Sequence, residues 1–259
     1  MVEIEWLGTA GFRITYTSGS FLIDPYVMRN ERATPPQPLG PADLRSDGPI
    51  FLSHGHFDHA SDVPEIMSGT GAVAHGSATA LASILRAGAP LTQLRAMHDG
   101  ETLGSRDFTA QAFASRHIHF DARLVLSTLR RLRWDELTAM NLALRYPAGA
   151  CMSWRFTCDD LAIHHFGSAG STEAELRRLG AQRTDVLLIA LQGHSRIVDI
   201  ALRHVEVLRP RIVIPHHHDN FYPPISRTQD ISPFVDGVRK RWPKVEVLTP
   251  AINVRLQLR

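Results

Sequence analysis

Seven residues, Ser53-His54-Gly55-His56-Phe57-Asp58-His59, follow a short apolar run, Pro49-Ile50-Phe51-Leu52, and constrain the chain more than any other feature. In an extended segment side chains alternate, so His54, His56 and Asp58 reach one side, and a turn at Asp58 brings His59 round beside them. Neutral imidazole nitrogen and carboxylate oxygen are the ligands that zinc and related divalent metals prefer, and Gly55 lets the backbone bend around such an ion. The stretch therefore reads as a strand end that turns around a metal.

A chain of 259 residues, 44% of them hydrophobic, can build one domain in which two packed sheets are flanked by helices. Its 28 basic and 26 acidic residues nearly cancel, so bulk charge points to neither a nucleic-acid nor a membrane partner. The basic runs Arg130-Arg131 with Arg133, and Arg239-Lys240-Arg241, read as solvated helix faces. Met1 to Trp6 carries acids and alternates, as a strand does and a signal peptide does not, and no apolar run reaches membrane-span length. Cys151 and Cys158 are too few for a disulfide framework and lack the spacing of a cysteine zinc site, which fits reduced thiols in a cytoplasmic protein.

Val2, Ile4 and Trp6 alternate with Glu3 and Glu5; with Phe12 to Tyr16 and Phe21 to Pro25 they predict an antiparallel meander. Arg29 to Gly48 holds too many prolines for a helix or central strand, and is expected to be a loop, either the rim of a substrate pocket or a surface excursion. Beyond the His-rich stretch, helices are expected over Ala60–Ser68 and Ala78–Ala87, with a short strand over Gly71–Ala74 between them. Phe108 to Ala114 is a strand running into His117 and His119. From Asp121 to Tyr146 apolar residues recur at helical intervals, an insertion of one or two helices, about 121–147, that packs on the sheet or walls the pocket. A hairpin over Met152–Phe156 and Leu161–Phe166 follows, then a helix over Glu173–Leu179 and a buried strand over Asp185–Leu191. The helix Val198–Leu208, the strand Arg211–Ile214 and closing strands over Val245–Leu248 and Ile252–Leu258 complete the pattern.

The run His54-x-His56-x-Asp58-His59, the opening strands that end in Asp24-Pro25, and His-rich segments at later strand ends resemble the metallo-β-lactamase superfamily over most of the chain. The resemblance implies an α/β fold, a four-layer αββα sandwich with two mixed sheets. It also implies a metal site, with His54, His56 and His117 holding one ion and Asp58, His59 and His217 a second. His119, two residues beyond His117, competes for its role. His217 is chosen because Pro215-x-His217-x-Asp219 matches the superfamily's last motif, while His216 and His218 face the other way in an extended segment. His194, also at the end of a buried strand, is a candidate substrate-binding group.

One position departs from the pattern. Where the resemblance predicts Gly-Asp-Thr-Gly, with a carboxylate bridging both ions, the chain has Gly167-Ser168-Ala169-Gly170. Two dications ~3.5–4 Å apart repel by on the order of 15–20 kcal/mol at an effective dielectric of 20 before anions offset them. Loss of the bridging charge therefore predicts one tightly held ion at His54, His56 and His117, with Asp219 or Asp121 as substitute carboxylates if a second ion binds.

The expected function is a metal-dependent hydrolase, with zinc as cofactor (one or two ions, or manganese) and Asp58 orienting the attacking water. The resemblance is to the lactonase-like branch, which implies a small ester, lactone or phosphodiester substrate ahead of a β-lactam. The competing expectation is a metal-binding sensor or scaffold whose turnover is impaired by Ser168.

Overall fold

Alternation along the first strands builds the architecture. In β1 (Val2–Gly8), β2 (Gly11–Tyr16) and β3 (Gly19–Ile23), residues such as Ile4, Trp6, Phe12, Ile14, Phe21 and Ile23 point into one cluster, whereas Leu7 and Leu22 join another on the opposite face. The chain, seen as a computed structural model that describes residues 1–46, 48–105, 107–130 and 139–258, carries this two-faced pattern through both of its sheets.

The first sheet has seven strands. β14 (Arg255–Leu258) pairs antiparallel with β1, β1 with β2 and β2 with β3; β4 (Ile50–Phe51), β5 (Ala74–Gly76) and β6 (Leu94–Ala96) then add in parallel. The second sheet also has seven strands. β7 (Thr102–Gly104), β8 (Phe108–Ser115), β9 (Cys151–Cys158) and β10 (Leu161–Phe166) are antiparallel, and β11 (Val186–Ala190), β12 (Ile212–His216) and β13 (Glu246–Val247) continue in parallel. Each sheet is thus a meander extended by crossovers, and both are mixed.

Between the sheets lies an aromatic-rich core. Phe21 and Phe156 have ring centroids 4.6 Å apart, and Phe51 meets Trp154 edge-on at 5.0 Å. The outer faces are covered by helices. α1 (Phe57–Ala60), α2 (Val63–Met67) and α3 (Ala78–Arg86) pack on the first sheet, while α6 (Glu173–Gly180), α7 (Ile197–Leu208) and α8 (Ser232–Arg241) pack on the second. The result is the expected αββα sandwich. The run Val186-Leu187-Leu188-Ile189-Ala190 is apolar throughout because Val186 and Leu188 face the inter-sheet core, and Leu187 and Ile189 face the helices.

Several boundaries differ from the sequence reading. Within the helix expected over Ala60–Ser68 only α2 (Val63–Met67) forms, separate from α1, which ends at Ala60, because a continuous helix would drive the Pro64 ring into the carbonyl of Ala60. Asp62 lies between them, and its Oδ2 accepts from Val27 N and Met28 N, both at 2.7 Å. The strand expected over Gly71–Ala74 lies at Ala74–Gly76, where it pairs with β4 and β6. The insertion contributes α4 (Ala122–Leu129) and α5 (Ala139–Arg145); positions 131–138 lie outside the described residues. Among the described residues no helix is long and apolar enough to cross a membrane. Cys151 and Cys158 are free and buried, and burial pushes both thiols up to about 12.

Candidate metal centre

β4 delivers the His-rich stretch to one edge of the sandwich. Asp24, at the end of β3, fixes it there: Oδ1 accepts from Ser53 N at 2.7 Å and Oδ2 from Ser53 Oγ at 2.5 Å. Asp24 holds a left-handed φ of 41°, strain of the kind that collects at functional sites. Gly167 makes the approach possible, since a Cβ there would collide with Ser53 Oγ and Asp24 Oδ2.

Two groups of side chains gather at this edge. His54, His56 and His117 form one and Asp58, His59 and His217 the other, with the ligand atoms in each group within 4.8 Å of one another. His117 stands at the end of β8 and is the residue that joins His54 and His56; His119 is exposed outside the group. His217 follows β12 in a left-handed conformation, φ 56°, and its N donates to Thr9 O at 2.7 Å, so the backbone turn aims this ring. Its neighbours go elsewhere: His216 is buried and stacks on His165 with centroids 5.1 Å apart, and His218 lies against Trp6.

Four of the five rings are oriented from behind. His54 Nδ1 meets Ser53 Oγ at 3.0 Å, His59 Nδ1 meets Asp24 Oδ2 at 2.9 Å, His117 Nδ1 meets Ile118 O at 2.7 Å and His217 Nδ1 meets Gln192 Oε1 at 3.0 Å. Each acceptor assigns the proton to Nδ1 and leaves the Nε2 lone pair facing the interior of the site. His56 presents Nδ1 instead, 3.1 Å from His54 Nε2.

This arrangement fits a divalent ion. Nε2 of His217 and of His59 lie 3.2 Å and 3.7 Å from Asp58 Oδ2, so three electron-rich atoms converge with their protons turned outward. The field they create favours positive charge. Burial opposes ionisation of Asp58, but His59 and His217 outweigh it and hold the carboxyl well below its ordinary range. Burial also opposes protonation of His59, yet Asp24 and Asp58 raise it above its ordinary value. Burial, with His56 nearby, lowers His117 to about 4, so that ring is neutral and able to ligate at physiological pH.

Both groups open into a cavity of about 380 Å³. Ser168 lines it where the bridging carboxylate was expected, its Oγ accepting from Ile118 N at 2.8 Å. Neither proposed substitute reaches it. Asp219 is drawn away by Arg29, at 2.8 Å, and by Thr9 N, at 3.1 Å, while Asp121 accepts from Ser195 Oγ near the surface. His194 does not line the cavity; its Nδ1 accepts from Arg196 N at 2.9 Å, and its neighbours Gln192 and Gly193 form the wall. The insertion does line it, through Leu124 and Val125, whereas none of the described residues of 29–48 does. Sequence reasoning missed Gln192 as a ring-orienting group and the His165–His216 stack. An amide just beyond a buried strand carries no local signal.

The profile of the β-lactamase superfamily domain matches residues 3–217. The chain belongs to this superfamily. Within it, a UPF0173 metal-dependent hydrolase of Anaeromyxobacter dehalogenans is 30% identical over 236 residues, 88% of this chain and 78% of the relative, and the chain is a metal-dependent hydrolase of the same family. Among solved structures, a metallo hydrolase from the archaeon Ignicoccus hospitalis superposes with a TM-score of 0.70 at 19% identity, covering 100% of this chain and 99% of that one. An isothiocyanate hydrolase from Delia radicum gut bacteria superposes with a TM-score of 0.68 at 14% identity, covering 99% of both chains. These two share the superfamily fold.

Proposed function

We propose that the chain hydrolyses a small ester, lactone or phosphodiester at a centre of zinc or manganese, held most tightly by His54, His56 and His117, with Asp58, His59 and His217 as a weaker second site. The observation that carries this reading is the orientation of the rings, since Nδ1 hydrogen bonds turn the lone pairs of four imidazoles, two in each group, toward the floor of the cavity. A divalent ion bound there supplies polarisation of a substrate oxygen and activation of water at neutral pH.

The chain's own groups do the rest. Asp58, ionised and buried, accepts a hydrogen bond from the attacking water at Oδ2 and orients it. His59 Nε2 and His217 Nε2 flank that carboxylate at 3.7 Å and 3.2 Å. Ser168 Oγ accepts from Ile118 N, which leaves its hydroxyl proton for a substrate oxygen. A second reading, a metal-binding sensor with impaired turnover, draws on the neutral Ser168.

The test is turnover of ester, lactone and phosphodiester panels by protein loaded with zinc or manganese, alongside its metal content. Hydrolysis abolished by Asp58→Ala, with near one equivalent of metal surviving dialysis, is the expected result. Two equivalents that survive dialysis refute the one-ion assignment. Ligand binding without turnover favours the sensor.

A further inference from the structure

The walls of the cavity above the metal groups carry information about the substrate that the groups themselves do not. Ile118, Phe120, Leu124, Val125, Phe221 and Ile225 line it, and Phe120 and Val125 are 48% and 43% exposed. Apolar side chains left open to water around a cavity of this size are a binding surface for an apolar body. At about 30 Å³ per water-sized volume the cavity accepts on the order of a dozen non-hydrogen atoms. That is room for a short acyl chain or one ring with a tail.

Among the described residues the lining holds one Arg and no Lys: Arg227, which is exposed and has no acidic partner among them. Its loop is anchored. Ser226 Oγ donates to Asn220 Oδ1 at 2.8 Å, Ser226 N to Tyr222 O at 3.0 Å, and Gln229 N to His218 O at 2.7 Å. These bonds tie the backbone on either side of Arg227 to the segment that carries His217, so the loop that bears this cation is anchored beside the hydrolytic groups. Among the described residues Asp58 is the one acidic residue in the wall, and it belongs to the metal groups. An unpaired cation beside an apolar surface has one complementary ligand chemistry, an apolar chain that ends in an anion.

We propose that the substrate class is an amphipathic anion whose scissile bond sits at the His and Asp groups, whose apolar body lies along Phe120, Leu124 and Phe221, and whose carboxylate or phosphate end pairs with Arg227. This rests on the hydrolase reading given above and narrows it. Arg227 selects the substrate and takes no part in bond cleavage.

The test pairs the mono-p-nitrophenyl ester of adipate with p-nitrophenyl hexanoate, on metal-loaded wild type, Arg227→Ala and Arg227→Glu. Calorimetry with octanoate, suberate and 8-phosphonooctanoate reports binding independently of turnover. The wild type should favour the anionic ester in kcat/KM by about fivefold to tenfold, the size of one charge-assisted pair partly screened by water. Arg227→Ala should abolish that ratio and Arg227→Glu should reverse it. Suberate and 8-phosphonooctanoate should bind more tightly than octanoate only while Arg227 is present, and the stronger of the two identifies the terminal group. If both esters are cleaved at the same ratio by all three proteins, the inference is overturned and the hydrolase reading stands. If neither ester is cleaved but the Arg227-dependent preference in binding persists, the inference stands and the bond type is wrong. Loss of both overturns the inference.

Discussion

Replacing Arg29 by Met isolates the interaction that separates Asp219 from the metal groups. Arg29 and Asp219 form an ion pair at 2.8 Å whose side chains are 3% and 1% exposed. At that distance the pair attracts by about 6 kcal/mol at an effective dielectric of 20, an upper bound because each ion has lost its hydration. Asp219 also accepts from Thr9 N, and Thr9 O accepts from His217 N, so the same few atoms hold the loop that aims His217. Methionine keeps most of the apolar stem of Arg29 and removes the guanidinium, with its charge and its hydrogen bonds to Thr9 Oγ1 and Pro35 O. The expected cost is about 3–5 kcal/mol, because a buried carboxylate is left with a single neutral donor. Adding Asp219→Asn should recover part of that loss, since the second change removes the stranded charge. Urea unfolding of the two single variants and the double variant measures the coupling. A loss below about 1 kcal/mol for Arg29→Met, or strict additivity in the double variant, would refute the argument that this pair is a buried lock.

Three further outcomes follow from the same architecture. His164 is buried with neither ring nitrogen hydrogen-bonded among the described residues, and burial, then Arg155, depress it to about 3, so the unfolded chain takes up a proton below pH 6.5 that the folded chain refuses. Stability therefore falls as pH drops from 6.5 toward 3, by about 2 kcal/mol between pH 7 and 5 from this residue; His164→Phe should flatten the slope by that amount, and an unchanged slope in urea titrations at the two pH values rejects the assignment. Gly167→Ala should cost about 10–100-fold in metal affinity by pushing Ser53 and Asp24 off the rings they orient, read by competition with a chromogenic chelator; unaltered affinity would show that those contacts do not tune the site. Ser168→Asp should raise metal content toward two equivalents after dialysis, and content unchanged from wild type would mean that bridging charge is not what limits the second ion.

The local chemistry is legible in the order of the residues alone. His54, His56, Asp58 and His59 lie within six positions of one another, and the alternation of Val2, Ile4 and Trp6 or the apolar run of Val186 to Ala190 follows from side-chain geometry that a short segment carries by itself. The break between α1 and α2 is harder to read. Ser61 is a good capping residue and Pro64 is tolerated early in a helix, so the local signals favour a helix from Ala60 to Ser68; the clash with the carbonyl of Ala60 keeps α2 separate from α1.

Sequence by itself determined the layer pattern and the existence of a His and Asp cluster at a strand end, because both arise from residues near one another in the chain. Tertiary structure decided which partners complete the cluster. His217 enters through a left-handed turn pinned by Thr9, Asp219 is captured by Arg29, and Gln192 reaches a ring 25 positions away. Those outcomes depend on contacts between remote segments, whose geometry is set only when the two sheets close on their shared aromatic core.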